Sequence, residues 1–315
     1  MTNKAQYKQF CEQHHLPIFY QPWWLDIVSS SWDTVIYKKS TTVFGVFPFE
    51  LKRKFGLTYL LPPTLTPQLG PWVIYPEGQK INTKLGFEKE VMQGLIRDLP
   101  KHHLSIIKLH PSFTNTQPLQ WEKYSSSVKY TFLLRAIKKN ESSIYEQLSS
   151  NTRKNIKKAS KNIEVSSSDH VETLIELSNQ TFSRQGLKNP YSSKVIKELF
   201  HKIKEKNQGD IMLATDENGN NHAALLLVWD KYSAYYLIGG SDSTYRNSEA
   251  MSLLMWKAIE KASLMVDNFD FEGTMLESVE RFIRGFGGEQ TPYYQLVKSN
   301  PNWLKSLFGI KLDLS

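Results

Sequence analysis

Cysteine is almost absent from this chain of 315 residues, since Cys11 is the only one. A single cysteine excludes a disulfide within the chain and favours a reducing compartment. No apolar run reaches the roughly 18–20 residues that a transmembrane helix requires. The first residues also lack the apolar stretch of a signal peptide. The sequence therefore predicts a globular cytoplasmic protein, with the inner face of the membrane as an alternative location.

Clusters of metal-binding side chains are equally scarce. The eight histidines include two adjacent pairs, His14-His15 and His102-His103. Neighbouring side chains point to different sides of a helix or strand, so neither pair forms a metal site by itself. We therefore expect no metal cofactor.

Positive charge is in excess. The 39 Lys and Arg residues outnumber the 31 Asp and Glu residues and give a net charge of +8. Such a balance favours anionic partners, namely phosphates, nucleic acid or a membrane surface. A basic surface without a specific partner explains the count equally well.

The first half of the chain reads as one α/β unit. Helices are predicted at 3–15, from Pro22 onward and at 87–99, and strands at 34–37, 42–48 and 104–109. Four prolines and a glycine within 61–72 predict an ordered loop, either part of a binding site or a packed connector. Residues 117–129 are polar and irregular, and we place the domain boundary there, between 125 and 126.

The second half has a clearer pattern of elements. Strands are predicted at 130–134, 210–215, 223–229, 234–239, 268–272 and 293–297, and helices at 142–148, 152–161, 171–182, 195–203 and 277–285. Another helix follows Ser248, a good N-cap residue, and its apolar residues from Met251 to Met265 recur on one face, which indicates core. This order predicts a mixed α/β fold.

Several segments resemble the FemAB-related, BioF-like branch of the GNAT acyltransferases. Residues 235–242 (YYLIGGSD) resemble its central strand, and 253–259 (LLMWKAI) its crossover helix. Further resemblance lies in FDFEGT (269–274), RFIRGFGGE (281–289), PYY (292–294) and the basic SSNTRKNIKKA (149–159). More weakly, WWL (23–25) and LTPQLGPW (65–72) are similar to the degenerate N-terminal unit of this group.

The resemblance implies an α/β fold (an α+β mixed sheet) with two GNAT-like units in tandem, the N-terminal one degenerate. The domains would be 1–125 for that unit, 126–300 for the acyltransferase domain and 301–315 for an amphipathic C-terminal tail. The tail either touches a membrane or packs on the domain.

The donor loop departs from the usual GNAT pattern. GNAT enzymes bind the CoA pyrophosphate on a Gln/Arg-x-x-Gly-x-Gly/Ala loop, whereas residues 243–250 read STYRNSEA, without glycine. Glu249 also brings negative charge into the first helical turn. An acyl-CoA is the implied co-substrate, and the aminoacyl-tRNA used by FemAB relatives is the alternative. The long helical insertion of some FemAB relatives is absent.

The function predicted is that of an N-acyltransferase, with acetyl-CoA the first donor considered. The acceptor would be an amine of a cell-envelope precursor, an amino sugar or a small molecule. One alternative is an aminoacyl-tRNA-dependent aminoacyltransferase of the peptidoglycan-bridge type, and another is a non-catalytic binding module. Partners would include the precursor amine, a charged tRNA in the alternative, and a peripheral membrane contact, but no DNA.

Two residues are candidates for catalysis. Glu272, beside Gly273 at the end of a central strand, would act as base or amine-binding carboxylate. Tyr236 would protonate the leaving group. The alternatives are a surface or capping carboxylate and a core tyrosine.

The remaining candidates are predicted to bind ligands. Cofactor binding is assigned to Arg246, Asn247, Ser248, Arg281 and Arg284. Substrate or polyanion binding is assigned to Asp242 and to a basic run containing Arg153, Lys154, Lys157, Lys158 and Lys161. The simpler alternatives are turn formation, helix ion pairs and a solvated basic face.

Overall fold

The computed structural model describes residues 3–138, 140–273, 275–301 and 303–304. Its helices are α1 (Asn3–His14), α2 (Pro22–Val28), α3 (Ile81–Arg97), α4 (Gln117–Trp121), α5 (Glu141–Gln147), α6 (Ser150–Ala159), α7 (Val171–Arg184), α8 (Ser193–Glu205), α9 (Ala250–Ser263) and α10 (Glu277–Arg284). Its strands are β1 (Trp32–Lys39), β2 (Thr42–Lys54), β3 (Leu57–Leu61), β4 (Trp72–Val73), β5 (Leu104–Lys108), β6 (Ser125–Arg135), β7 (Ile163–Ser168), β8 (Gly209–Asp216), β9 (Asn221–Trp229), β10 (Ser233–Ser241), β11 (Asn268–Asp270) and β12 (Glu289–Ser299).

The chain divides into two compact units. The first comprises the described residues of Met1–Tyr130 and Pro292–Ser315, and the second comprises those of Thr131–Thr291. The sequence places the last strand in the second domain, whereas residues 295–299 of β12 pair with β5 in the first unit. Most of the amphipathic tail predicted from residue 301 onward lies outside the described residues.

The first unit is a sheet covered by α3. Its strand order is β1-β2-β3-β5-β12, with β4 added to β2. Strands β3 and β5 are parallel and the other pairs antiparallel. The apolar face of α3 supplies Phe87, Val91 and Leu95 to the core. The helix begins six residues before the predicted start. The prediction missed residues 81–86 because they are exposed and show no apolar periodicity.

The proline-rich stretch 61–72 is a packed connector. The Trp24 indole donates to the Thr66 hydroxyl at 3.3 Å, and the Gly70 amide donates to the Tyr20 hydroxyl at 3.2 Å. Leu69 also exchanges backbone hydrogen bonds with Lys108. These contacts explain why a segment that cannot form regular structure is nevertheless ordered.

The prediction that 117–129 is irregular is wrong, because this segment contains α4 and the start of β6. Pro118 lies in the first turn of α4, where a missing amide proton costs nothing. The first four residues of β6 are exposed, so no alternation of apolar side chains identifies the strand. Edge strand β7 was not predicted either. Three of its six residues are serines, so its sequence lacks the apolar side chains that indicate a strand.

The second unit has the sheet order β6-β11-β10-β9-β8-β7. Strands β10 and β11 are parallel, and the other pairs are antiparallel. Residues 222–228 of β9 are all buried, so both faces of the sheet are covered there. On one face, Leu254 and Met255 of α9 share a core with alternate residues of β9. Helix α7 also packs on β9 and β10.

Candidate active site

The two central parallel strands of the second unit separate early. Strand β11 pairs with β10 through only three residue pairs, the last being Tyr235 with Asp270. The β9 register shifts between Tyr236 and Ile238, which marks a bulge on β10 at Leu237. A bulge bends a strand and increases its twist. The β10 edge beyond Tyr235 is therefore no longer paired with β11.

A small hydrogen-bond network fixes the end of β11. The buried Asp270 carboxylate accepts hydrogen bonds from the Thr131 hydroxyl and, at 2.8 Å, from the Glu272 amide. The Gly273 amide in turn donates to the Thr131 oxygen at 3.0 Å. Glu272 adopts a left-handed backbone with φ 58°, which is uncommon for a residue other than glycine. The network therefore holds Glu272 on a strained turn, two residues beyond the last residue of β11.

Burial raises the pKa of Asp270 to about 6, although its hydrogen bonds from Thr131 and Glu272 act in the opposite direction. Desolvation penalises the charged carboxylate, whereas N–H and O–H donors stabilise it. Asp270 is thus a buried carboxyl group that holds the Glu272 turn and has a raised pKa of about 6.

Tyr191 lies near Glu272, and Tyr236 lies near Tyr191. The pKa of Tyr191 is raised, first by burial and then by the charge of Glu272. Burial raises the pKa of Tyr236 to about 12, and the nearby Tyr191 adds to this. The Tyr236 hydroxyl lies over Gly239, where a Cβ atom would come within 2.0 Å of it. Tyr236 is therefore a protonated phenol directed along β10 toward its carboxyl end.

Tyr191 is a candidate that the sequence did not indicate. It lies in the loop between α7 and α8, and its amide donates to the Asn189 side chain at 3.0 Å. Asn189 is itself tied to Ser178 of α7 at 3.1 Å, and Tyr191 packs edge-on against Phe182. Nothing in the spacing of this polar loop distinguishes Tyr191, because its position depends on a non-local approach to β10.

The turn before α9 differs from the predicted cap. Residues Arg246–Ser248 form a 3₁₀ turn, Glu249 is left-handed with φ 59°, and α9 begins at Ala250. The prediction that Ser248 is the N-cap is wrong, since Glu249 occupies that position. Two backbone amides at the start of the helix already donate hydrogen bonds within the protein. The Ala250 amide donates to the Ser248 hydroxyl at 3.3 Å, and the Ser252 amide donates to the Glu249 carbonyl at 3.0 Å.

The predicted basic residues lie along connected elements. Lys158 of α6 donates to the Asn247 carbonyl in the turn before α9. At the other end of α6, the Ser149 amide donates to the Gly285 carbonyl at 2.9 Å, directly after α10. We call the exposed cations of these elements the basic track. Its members are Lys154, Lys157, Lys158, Arg246, Arg281 and Arg284.

Several of the predicted ligand-binding residues have contacts within the protein. Arg284 forms an ion pair with Glu280 at 3.2 Å, and Arg153 donates to the Glu146 carbonyl at 2.9 Å. Asp242 accepts the Thr244 amide at 2.7 Å, and its pKa is lowered chiefly by that backbone hydrogen bond. Asp242 therefore shapes the turn after β10, and a role in substrate binding stays a prediction.

Neither a metal cluster nor a membrane span occurs in the described part of the chain. Among those residues no group of three or more His, Cys, Asp or Glu is placed to hold a metal ion. Likewise, no described helix combines the length and apolarity needed to span a bilayer.

Comparison with known proteins agrees with this geometry. Residues 148–277 match the family model of the acetyltransferase (GNAT) domain. The crystal structure of FemX is 15% identical, covers 98% of both chains and has a TM-score of 0.69. The C-terminal domain of an Agrobacterium fabrum protein described as a lysylphosphatidylglycerol synthetase is 9% identical, with a TM-score of 0.59 and coverage of 98% of this chain and 96% of that one.

A tandem GNAT protein from the clavulanic acid biosynthesis pathway is also similar. It is 8% identical, covers 88% of this chain and 86% of its own, and has a TM-score of 0.52. No curated protein matches the chain. At such identities the structural likeness establishes the fold. Residues 148–277 therefore match an acetyltransferase (GNAT) domain, and the chain as a whole has the fold of the FemX structure and of the tandem GNAT protein.

Proposed function

We propose that the second unit transfers an acyl group from an activated carrier to an amine, in the cleft where β10 and β11 separate. The observation that carries the proposal is the early end of their pairing at Tyr235, with Glu272 at the end of one strand and Tyr236 on the other. Open α/β sheets bind ligands beyond the carboxyl ends of such strands.

The chemistry assigns a role to each group. The amine nitrogen attacks the acyl carbon while a backbone amide of β10 beyond Tyr235 stabilises the developing oxyanion. Glu272 accepts the proton that the attacking nitrogen loses. The bond to the carrier then breaks, and Tyr236, whose pKa of about 12 keeps it protonated, donates its proton to the departing thiolate or alkoxide.

The proposed acceptor is an amine of a cell-envelope precursor, an amino sugar or a small molecule. A carboxylate just beyond β11 suits an acceptor that arrives as an ammonium ion, because opposite charges attract. The ammonium ion releases one proton to water before it attacks, and Glu272 accepts the second as the amide forms. The Agrobacterium fabrum domain of this fold comes from a protein described as a lysylphosphatidylglycerol synthetase, whose named product is an envelope lipid.

The first donor is an acyl-CoA, and acetyl-CoA is the form to test. The match to the acetyltransferase (GNAT) domain supports it. Arg246 and Asn247, exposed before α9, are the residues proposed to contact its phosphates.

Two observations favour aminoacyl-tRNA as a second candidate donor. The Ala250 and Ser252 amides at the start of α9 already have protein acceptors in Ser248 and Glu249, which makes them poor donors to a pyrophosphate. The basic track also extends from α10 past α6 to Arg246, which is longer than a pyrophosphate needs and suits a polynucleotide backbone.

Calorimetric titration separates the donors. The full chain is titrated with acetyl-CoA, charged tRNA and uncharged tRNA. If tRNA is the donor, the charged form binds more tightly, and Lys154→Glu with Lys157→Glu weakens binding at least tenfold. The matched pair Lys194→Glu with Lys197→Glu on α8 has the same spacing and leaves it unchanged. Saturable acetyl-CoA binding without tRNA binding identifies the CoA donor. Failure of both donors to bind contradicts the proposal.

Substitution of Glu272 tests the chemistry. Once a donor and acceptor are in hand, Glu272→Gln should lower kcat by about 100-fold or more, in the range expected for loss of a general base. Donor affinity should stay within about threefold, because the amide keeps the shape of the carboxylate. Glu277→Gln, an exposed glutamate on α10, is the control. A non-catalytic binding module would instead leave every measured activity untouched by Glu272→Gln.

A further inference from the structure

The β2–β3 hairpin of the first unit ends in an exposed aromatic ring. Arg53 pairs with Thr58 and Lys54 with Leu57, so the turn consists of Phe55 and Gly56 alone. Both have positive φ, 53° and 72°, as in a type I′ turn. The Phe55 side chain is 87% exposed.

Folding alone does not account for a phenylalanine at this position. Type I′ turns favour Asn, Asp or Gly at their first central position because those residues tolerate a left-handed backbone. Phe55 takes on that strain, yet it is largely in water and its ring lies 5.1 Å from the Lys54 ammonium. A large apolar side chain held at a tip, against its own backbone preference, fits an apolar partner outside the chain.

The charge around the tip identifies the kind of partner. Lys52, Arg53 and Lys54 precede Phe55 and are exposed. Lys52 pairs with Glu50 at 2.8 Å, whereas among the described residues neither Arg53 nor Lys54 has an ion-pair partner. Two cations without ion-pair partners in the described chain, beside an exposed ring, suit a partner surface with negative charges on the outside, which the cations contact, and an apolar layer beneath, which the ring enters.

Hydrogen bonds join the base of the hairpin to the adjacent strand ends. The Thr58 amide donates to the His103 ring at 3.0 Å, and the His103 amide donates to the Thr58 carbonyl at 2.8 Å. The His103 carbonyl accepts the Asn300 amide at 2.7 Å. Trp303, three residues further on, is 58% exposed. A second exposed aromatic residue thus follows a strand end that is hydrogen-bonded to the base of the hairpin.

We propose that the β2–β3 hairpin tip docks the first unit on an anionic lipid bilayer, with Phe55 in the interfacial region and Arg53 and Lys54 at the headgroups. Reversible attachment requires two signals, an apolar insertion and a basic cluster, and the hairpin supplies both. The inference depends only on the first unit and stands whether or not the second unit uses the proposed chemistry.

Vesicle sedimentation tests this docking. The full chain is mixed with sucrose-loaded vesicles of phosphatidylcholine alone or with about 30% phosphatidylglycerol, at about 0.1 M salt. Binding is expected only to the anionic vesicles. Arg53→Gln with Lys54→Gln should weaken it about thirtyfold, at ~1 kcal/mol for each cation. Phe55→Asn should weaken it about tenfold, while the turn stays intact because Asn favours this conformation.

A matched control lies in the second unit. Tyr232 is 47% exposed in the β9–β10 turn and also has a lysine, Lys231, over its ring. Tyr232→Asn should leave vesicle binding unchanged, and circular dichroism should show every variant folded. Equal binding of wild type and the folded Phe55→Asn variant overturns the proposal, as does equal binding to neutral and anionic vesicles. If the protein binds soluble heparin as tightly as it binds vesicles, and Phe55→Asn does not change either affinity, the hairpin binds polyanions in general and the lipid proposal is wrong.

Discussion

Asp270 shows how one buried residue positions the proposed catalytic carboxylate. Its Oδ1 accepts hydrogen bonds from both the Thr131 hydroxyl and the Glu272 amide. Those bonds hold the left-handed backbone of Glu272, and a strained turn persists only where its surroundings fix it. Asp270 is therefore a positioning residue for Glu272.

Asp270 should also make stability depend on pH. Burial raises its pKa from 3.8 to about 6, so between these values the folded protein holds a proton that the unfolded chain has lost. Stability is therefore greatest below this window and falls as pH rises through it. A pKa difference of this size corresponds to a loss of up to about 3 kcal/mol.

Asp270→Asn keeps an acceptor oxygen and removes the titration. Urea unfolding of wild type and variant at about pH 4 to 7 should show their difference in free energy shrinking or reversing as pH rises. Parallel curves across this range would contradict the assignment of a raised pKa to Asp270.

At the scale of elements, the carboxyl end of β10 lies against the backbone of α7. A Cβ atom at Gly240 would come within 2.3 Å of the Leu177 carbonyl carbon and the Ser178 amide. The Ser241 amide also donates to the Thr181 hydroxyl at 3.0 Å. This approach fixes α7, and through Ser178 and Asn189 it fixes the loop that carries Tyr191.

Gly240→Ala should therefore destabilise the protein by about 2–3 kcal/mol, because a helix backbone cannot yield as a flexible side chain does. Gly86→Ala is the comparison, since Gly86 is an exposed residue of α3 and a Cβ atom added there would have nothing within 4 Å. That change should raise stability by about 0.5–1 kcal/mol through helix propensity. Thermal unfolding measures both, and a Gly240→Ala protein as stable as wild type would refute the close approach.

Elements with an apolar period were predictable from sequence. The stripe from Met251 to Met265 identified α9, and Asn218-Gly219 marked the turn between β8 and β9. Polar elements were not predictable, because the serines of β6 and β7 are ordered by backbone pairing that leaves no side-chain pattern.

The candidate site was predictable only in part. The resemblance indicated the two parallel strands β10 and β11, while the roles of Tyr236 and Glu272 stay predictions. The sequence did not indicate the left-handed Glu249 or the approach of Tyr191, because both depend on contacts between residues distant in the chain.

At the scale of the whole molecule, each unit carries a different kind of surface. The second unit contains the point where the pairing of β10 and β11 ends, together with the basic track, and the first carries the aromatic and basic tip of the β2–β3 hairpin. The net charge of +8 suits anionic partners at both. The central claim, acyl transfer between β10 and β11, belongs to the second unit alone.

A crystal structure with bound donor tests that claim most directly. The protein is soaked with acetyl-CoA or with an amide-linked mimic of the aminoacylated tRNA end, whichever binds by calorimetry. The acyl carbonyl should lie between β10 and β11, with its oxygen within about 3 Å of a β10 amide beyond Tyr235 and with Glu272 on the side open to an amine. A donor that is fully bound with its acyl group outside this cleft would contradict the account.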